Sequence, residues 1–472
     1  MQDYTKAPTA IVILGATGNL AETKLLPALF DLYLQKKLPG TFRIIGLSRK
    51  NLTSETYRQF VQSCVAFRHS HYTPHALTDF CNHLYYLSGD FDDEDAYAHI
   101  KEALISFDTE YALCSHKLFY LAVPPSLYST IFNFLKMSNM MSLCDGSDSW
   151  SRILVEKPFG NDLITAEMLE KQLCDNFSED QIYRIDHYLA KDAIENILSL
   201  RFANSILSDS WNGTKIEHIS IRLFESQDVS TRGAFYDQIG ALRDVGQNHI
   251  LQILALLTMN ATDLHDTDAI RKNRLDAIRS LTTHETDLRI RGQYIGYRET
   301  PGVNPESSTE TYFKIETRID SDIWNDVKVT LESGKALHES CTEAVITFRP
   351  TETCVCGAES SAHAHRNTLR IMFSPQQSIQ LTMWVKEPGF SYKLHKRTLV
   401  LAEEKTDIFR SPEAYERVLY DCIIGDQTRF VSGAEISASW KFIMPILNSF
   451  AFTPLHTYQK GTAGPSPDIC TE

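Results

Sequence analysis

The feature that most constrains this chain is Ala10–Leu14 (AIVIL), an unbroken apolar run closed at once by Gly15-Ala16-Thr17-Gly18-Asn19-Leu20. A strand that is apolar at successive positions has no wet face and belongs inside a parallel sheet covered on both sides. A glycine turn between such a strand and a helix lets the backbone approach a phosphate and aims helix N–H groups at it. The periodic stretch Leu25, Leu26, Leu29, Phe30 and Leu32 supplies the helix, with Pro27 either bending it or marking its first turn. Arg43–Leu47 (RIIGL), Leu118–Val123 (LFYLAV) and Ile153–Val155 repeat the strand pattern between helical stretches, which predicts a doubly wound, Rossmann-like α/β domain. The spacing Gly15-x-x-Gly18 departs from G-x-G-x-x-G, so the turn alone is also compatible with a plain loop.

The end of the second strand reads Gly46-Leu47-Ser48-Arg49-Lys50, with two bases and no acid. An acid there accepts a ribose 2′-hydroxyl, whereas a base accommodates a 2′-phosphate, so Arg49 and Lys50 read either as a solvated basic turn or, more sharply, as an NADP site. The 46 Lys and Arg against 60 Asp and Glu give a net charge of −14. That charge disfavours nucleic acid and anionic membranes, and leaves phosphate recognition to local basic clusters. No apolar stretch approaches the ~20 residues of a membrane span. The polar start MQDYTKAPT lacks the features of a signal peptide, and ten cysteines without framework spacing suit reduced thiols in the cytoplasm.

From about residue 190 the pattern changes. Ile219/Ile221/Leu223, Val327/Val329/Leu331, Leu369/Ile371/Phe373 and Ile379/Leu381/Met383/Val385 alternate with polar neighbours. This is the period of strands with one wet face, and predicts a C-terminal α+β domain on a large, mainly antiparallel sheet. The stripe Ile250, Ile253, Leu254, Leu257 predicts a helix against that sheet. The boundaries drawn are 1–185 for the NADP-binding domain, 186–455 for a substrate-binding and dimerisation domain, and 456–472 for a flexible tail rich in Pro, Gly, Ser and Thr. Cys354-x-Cys356 with His363-x-His365 matches no standard closed zinc site, and no metal is expected.

Three further stretches concentrate polar chemistry: Glu156-Lys157-Pro158-Phe159-Gly160, Arg184-Ile185-Asp186-His187-Tyr188-Leu189-Ala190-Lys191, and Arg243-Asp244-Val245-Gly246-Gln247-Asn248-His249. Taken singly, a Lys-Pro pair is a turn and a histidine beside an apolar stripe is a structural residue. In this order, with GATGNLA (Gly15–Ala21), SGKAL (Ser333–Leu337) and PEAYERVLYDCIIGD (Pro412–Asp426), the chain resembles the glucose-6-phosphate dehydrogenase family over nearly its full length.

The resemblance implies oxidation of the C1 hydroxyl of glucose 6-phosphate to the lactone, with hydride passing to NADP. It implies that His249 is the general base and Asp186 the carboxylate that orients it; an unperturbed imidazole pKa of ~6.5 suits proton removal near neutrality. It assigns the substrate phosphate to His187, Tyr188 and Lys191, and the sugar to Lys157, Glu225, Asp244 and Lys335. It places Gly15, Ala16, Thr17, Gly18, Asn19, Leu20, Arg49, Lys50, Tyr120 and Lys157 at the cofactor, makes the bond before Pro158 cis, and makes a homodimer through the large sheet the default. The chain departs from the family at Ser340, where a basic residue commonly helps to bind substrate, and at Ala190, where the signature has glycine. With Cys341 and Met372 where many eukaryotic members carry bases, no second, structural NADP is expected.

Overall fold

The computed structural model describes residues 7–68, 72–142, 149–351, 365–390, 393–402 and 411–465. Strand β1 (Thr9–Leu14) is buried at every position, and its side chains divide between two cores. Ile11 and Ile13 pack with Leu26, Leu29 and Phe30, whereas Ala10, Val12 and Leu14 pack with Ile100, Phe132 and Leu135. This two-sided burial is what a continuous apolar run demands. The remaining parallel strands are β2 (Phe42–Ser48), β3 (Leu84–Ser88), β4 (His116–Leu121), β5 (Ser151–Val155) and β6 (Ile182–Ile185). Their spatial order is β3-β2-β1-β4-β5-β6, so the order reverses beside β1, at the place where doubly wound sheets bind nucleotides.

The helix after the turn begins at Asn19 and widens to i→i+5 bonding over Ala21–Leu25 before continuing as Leu26–Leu34 with Pro27 in its first α-helical turn. Proline has no N–H to give to the preceding turn, so the ladder shifts there and the helix continues.

The chain divides into two compact units, 1–191 with 411–433, and 192–410 with 434–472. The first division falls six residues beyond the expected 185/186 boundary, and a late segment returns to the first unit. That segment carries helix Ala414–Ile424, whose last carbonyls, those of Cys422 and Ile423, accept bonds from the Arg152 guanidinium at 2.6 and 2.9 Å. A cation there satisfies carbonyls that no helical N–H can reach.

In the second unit the strands are β7 (Ile216–Phe224), β8 (Leu281–Thr282), β9 (Arg289–Tyr294), β10 (Tyr312–Ile319), β11 (Lys328–Gly334), β12 (Cys341–Phe348), β13 (Thr368–Ser374), β14 (Ser378–Lys386) and β15 (Leu394–Ala402). Two follow in the chain: β16 (Phe430–Val431), antiparallel to β6 in the first unit's sheet, and β17 (Leu455–Tyr458). The ten-stranded sheet runs β15-β14-β13-β12-β7-β11-β10-β9-β17, with β8 against β10. It is antiparallel except where β7 meets β11 and β9 meets β17.

The predicted wet face holds for β13, whose burial alternates, but not for β11, which is buried from Val329 to Gly334. A central strand paired on both sides and covered on both faces has no solvent side. The tail expected from residue 456 differs as well: Leu455–Tyr458 is a sheet strand, and the chain stays bonded through Thr462 to the loop that follows β11. Residues 466–472 lie outside the described residues, as do Cys354, Cys356 and His363 of the expected metal-free loop. Cys64, Cys81, Cys174, Cys341 and Cys422 are free, but Cys114 is disulfide-bonded, which the expectation of reduced thiols did not include.

Candidate active site

In the first unit, Gly15 takes φ +94°, and a Cβ there would collide with the Ala122 carbonyl oxygen, so the turn needs glycine. The amides of Gly15 and Ala16 both donate to the Leu47 carbonyl, at 2.9 and 3.1 Å, which binds the turn to the end of β2. Thr17 Oγ1 and Ser48 Oγ share a bond of 2.6 Å across the same gap. Gly18 closes the turn onto Gly15 at 2.9 Å, with Asn19 and Leu20 opening the helix. Arg49 and Lys50 stand exposed just beyond β2, and the Lys50 carbonyl accepts from Tyr86 Oη at 2.5 Å. The turn, the following helix start and the two exposed bases fit a nucleotide carrying a 2′-phosphate.

Tyr120, placed by the resemblance at the cofactor, has no exposed surface, and its hydroxyl donates to Glu156 Oε1 at 2.5 Å. Glu156 follows β5 directly and sits amid three tyrosines: Tyr120 and Tyr415 donate to its carboxyl, and Tyr128 Oη both accepts from its N–H at 3.1 Å and donates to its carbonyl at 3.0 Å. Burial pushes the carboxyl up to about 7, opposed by the two tyrosine hydroxyls and Lys157 and reinforced by Asp186. The next peptide, Lys157–Pro158, is cis, as the resemblance implies.

The folded chain therefore keeps a proton on Glu156 that the unfolded chain loses above about 4.5. Stability falls as pH rises through that window, because the folded state binds more protons. Glu156→Gln, which cannot ionise, is expected to lose less melting temperature than the parent between about pH 4.5 and about 7. Parallel curves in thermal melts would remove Glu156 as the cause.

Asp186 follows β6 directly and is 3 % exposed; its Oδ1 accepts from the Tyr188 N–H at 2.9 Å. With Leu189 N bonded to Asp186 O and Lys191 N to Tyr188 O, the segment coils tightly and groups His187, Tyr188 and Lys191. The Lys191 ammonium lies 3.5 Å from the centre of the Tyr188 ring. Burial lowers its pKa, with Asp186 opposing. Ala190 is buried and lies outside the positive-φ region, so its methyl group costs nothing in backbone conformation.

In the second unit, Lys335 follows β11 and pairs with Glu225, which follows β7, and with Asp244 at 3.4 Å. The backbone ties them together: Glu225 N donates to Gly334 O at 2.9 Å, and Leu337 N to Glu225 O at 3.0 Å. Asp244 and His249 share one helical segment, Leu242–Ile250, which is bonded i→i+5 and not i→i+4. Residues five apart lie far round an α-helix of 3.6 residues per turn, but about one turn apart in the widened form. Asp244 and His249 thereby come toward one face. His249 is 2 % exposed, and the predicted stripe from Ile250 to Leu257 is buried beneath it. At Ser340 the Oγ accepts from Ser226 N and shares a bond with Ser226 Oγ, both at 2.8 Å, so a hydroxyl pair occupies the place of the family's base.

Reading the sequence assigned no role to Glu156, Tyr415, Tyr236 or Tyr458. Glu156 stood inside the EKPFG stretch and Tyr415 inside PEAYER, but their meeting is a product of the fold.

A family model for the glucose-6-phosphate dehydrogenase NAD binding domain matches residues 12–196, and one for the C-terminal domain of the same family matches 198–469. Glucose-6-phosphate 1-dehydrogenase of Chlamydia pneumoniae is 35% identical, over 98% of this chain and 94% of that protein. The Bacillus subtilis protein of that name is 33% identical, over 98% and 96%. A solved structure of glucose-6-phosphate dehydrogenase with its substrate glucose 6-phosphate superposes with TM-score 0.91 at 32% identity, covering 99% of this chain and 98% of the other. The Mycobacterium avium enzyme superposes with TM-score 0.84 at 30% identity, covering 97% and 95%.

Proposed function

This chain belongs to the glucose-6-phosphate dehydrogenase family, and from that premise we propose that it oxidises D-glucose 6-phosphate at C1 to 6-phospho-D-glucono-1,5-lactone. The observation that carries this reading is the cluster of Lys335 and Glu225 with Asp244, which shares its widened helix with His249. NADP, when bound, supplies the hydride acceptor; Gly15–Leu20, Arg49, Lys50, Tyr120 and Lys157 are the residues that would hold it. The reaction is the first step of the oxidative pentose phosphate pathway.

His249 accepts the C1-hydroxyl proton on an imidazole nitrogen, and Asp186 orients the ring and balances the imidazolium charge. The substrate phosphate is held by His187, Tyr188 and Lys191, which offer imidazole, phenol and ammonium donors from one coil. Glu225 and Asp244 accept bonds from sugar hydroxyls, while Lys335 and Lys157 donate to sugar oxygens. Lys335 is already neutralised by two carboxylates, so it acts there as a fixed donor and not as a free charge.

We also propose a cytoplasmic homodimer. No helix among the described residues is long and apolar enough to cross a membrane. Strand β15 ends the large sheet with Leu399, Val400 and Leu401 61%, 59% and 69% exposed, an apolar edge that a second copy would cover.

Initial rates with glucose 6-phosphate, glucose and other hexose phosphates, each with NADP and NAD, test the assignment; the glucose arm addresses the cation missing at Ser340. Arg49→Ala is expected to raise KM for NADP by about tenfold or more, the value of a charge-assisted phosphate contact, and to leave KM for NAD nearly unchanged. Equal losses for both nucleotides would reject the 2′-phosphate assignment.

A further inference from the structure

We propose that the C-terminal segment Leu455–Pro465 is a strap that sets the position of Lys335, with Tyr458 as its positioning residue. The proposal rests on Lys335 being a substrate lysine, and concerns what holds that lysine in place. Strand β17 runs parallel to β9, which brings Tyr458 level with Tyr294. There the Tyr458 hydroxyl donates to the Lys335 carbonyl at 2.7 Å. The same hydroxyl accepts from Thr311 Oγ1 at 2.9 Å, and Thr311 Oγ1 accepts from Tyr294 N at 3.0 Å. A buried chain of donors therefore ends on the peptide that carries the lysine. Each member polarises the next, so removing one hydroxyl weakens the whole chain.

The strap then follows the SGKAL loop residue by residue. Gly461 N donates to Ala336 O at 2.8 Å, His338 N donates to Thr462 O at 2.9 Å, and Leu337 bridges Thr462. Lys460 fastens the strap at its exposed side to Asp228, at 2.6 Å, over the Tyr294 ring. The loop needs such support. Ala336 takes φ +55°, a conformation that a residue with a Cβ keeps only where its surroundings hold it. The Lys335 ammonium also rests 5.2 Å from the centre of the buried Tyr236 ring, so a small shift of its backbone carries it off that platform.

The test is a double-mutant cycle in the full-length protein, with steady-state kinetics and thermal melts. Tyr458→Phe is expected to raise KM for glucose 6-phosphate about three- to tenfold, with kcat and KM for NADP nearly unchanged. Tyr297→Phe removes an equally buried hydroxyl of the same aromatic cluster, bonded to Asp237, and is expected to leave all three constants alone. In a Lys335→Met background Tyr458→Phe adds nothing further to KM. If Tyr458→Phe does not fold, Lys460→Met loosens the strap at its exposed ion pair and gives the same selective rise at smaller size. An unchanged KM in the strap variants, an equal rise in Tyr297→Phe, or independent effects in the cycle would overturn the strap while leaving Lys335 as a substrate lysine. Lys335→Met with an unaltered KM would instead remove the site reading, and the strap with it.

Discussion

Replacing His249 by Asn is expected to lower kcat by about 10²–10⁴-fold, the usual contribution of a positioned general base, while glucose 6-phosphate still binds. Asparagine keeps a polar side chain at a position that is 2 % exposed, but it cannot take up a proton at working pH. Binding survives because the groups assigned to phosphate and sugar are different ones: His187, Tyr188 and Lys191 in one unit, and Glu225, Asp244 and Lys335 in the other. Calorimetric titration with glucose 6-phosphate, together with rapid-quench turnover, separates the two effects. A variant that keeps kcat within tenfold of the parent would place the base elsewhere; one that loses binding and kcat together would make His249 a substrate ligand first.

The second large effect is structural. Arg184 has no exposed surface and makes four bonds to two carboxylates: Nε and Nη2 to Glu170 at 2.9 and 2.8 Å, and Nη1 and Nη2 to Glu179, both at 2.9 Å. Arg184→Met leaves these carboxylates without their cation. The Glu170 side chain is only 14% exposed, so it must either stay charged in a dry site or take up a proton. Breaking a buried pair from one side costs about 3–5 kcal/mol. Adding Glu170→Leu removes the stranded charge and is expected to recover much of that loss, because a well-packed apolar pair often serves as well as a buried ionic one. Arg184 lies two residues before Asp186, so the single variant is also expected to raise KM for glucose 6-phosphate as the coil from Asp186 to Lys191 loosens. Denaturant melts of the two variants decide the matter: similar stabilities for single and double would show that the stranded carboxylate is not the cause.

The sequence showed what is local. Continuous apolar runs marked β1, β2, β4 and β5 to within about two residues, because burial on both faces leaves no polar positions. Strand β3 escaped notice: it is short, and Tyr85 within it is exposed, so it lacks the two-sided burial of its neighbours. The motif residues were legible because chemistry needs particular side chains at particular spacings. Their supports were not, since those come from far along the chain. Tyr415 reaches Glu156 from a helix that a reading in chain order assigns to the other domain. Tyr458 lies in a stretch whose Pro, Gly, Ser and Thr content reads as a tail, yet it bonds to Lys335, 123 residues earlier. The widened helix at His249 was equally hidden, because an amphipathic stripe has nearly the same appearance whether one turn holds i→i+4 or i→i+5 bonds.

The most direct test of the whole account follows one hydrogen. With glucose 6-phosphate deuterated at C1 and unlabelled NADP, mass spectrometry of the reduced nucleotide is predicted to find one deuterium per molecule formed, in step with lactone production. Unlabelled reduced nucleotide, or deuterium released to water, would contradict hydride transfer from C1 and with it the function assigned to this protein.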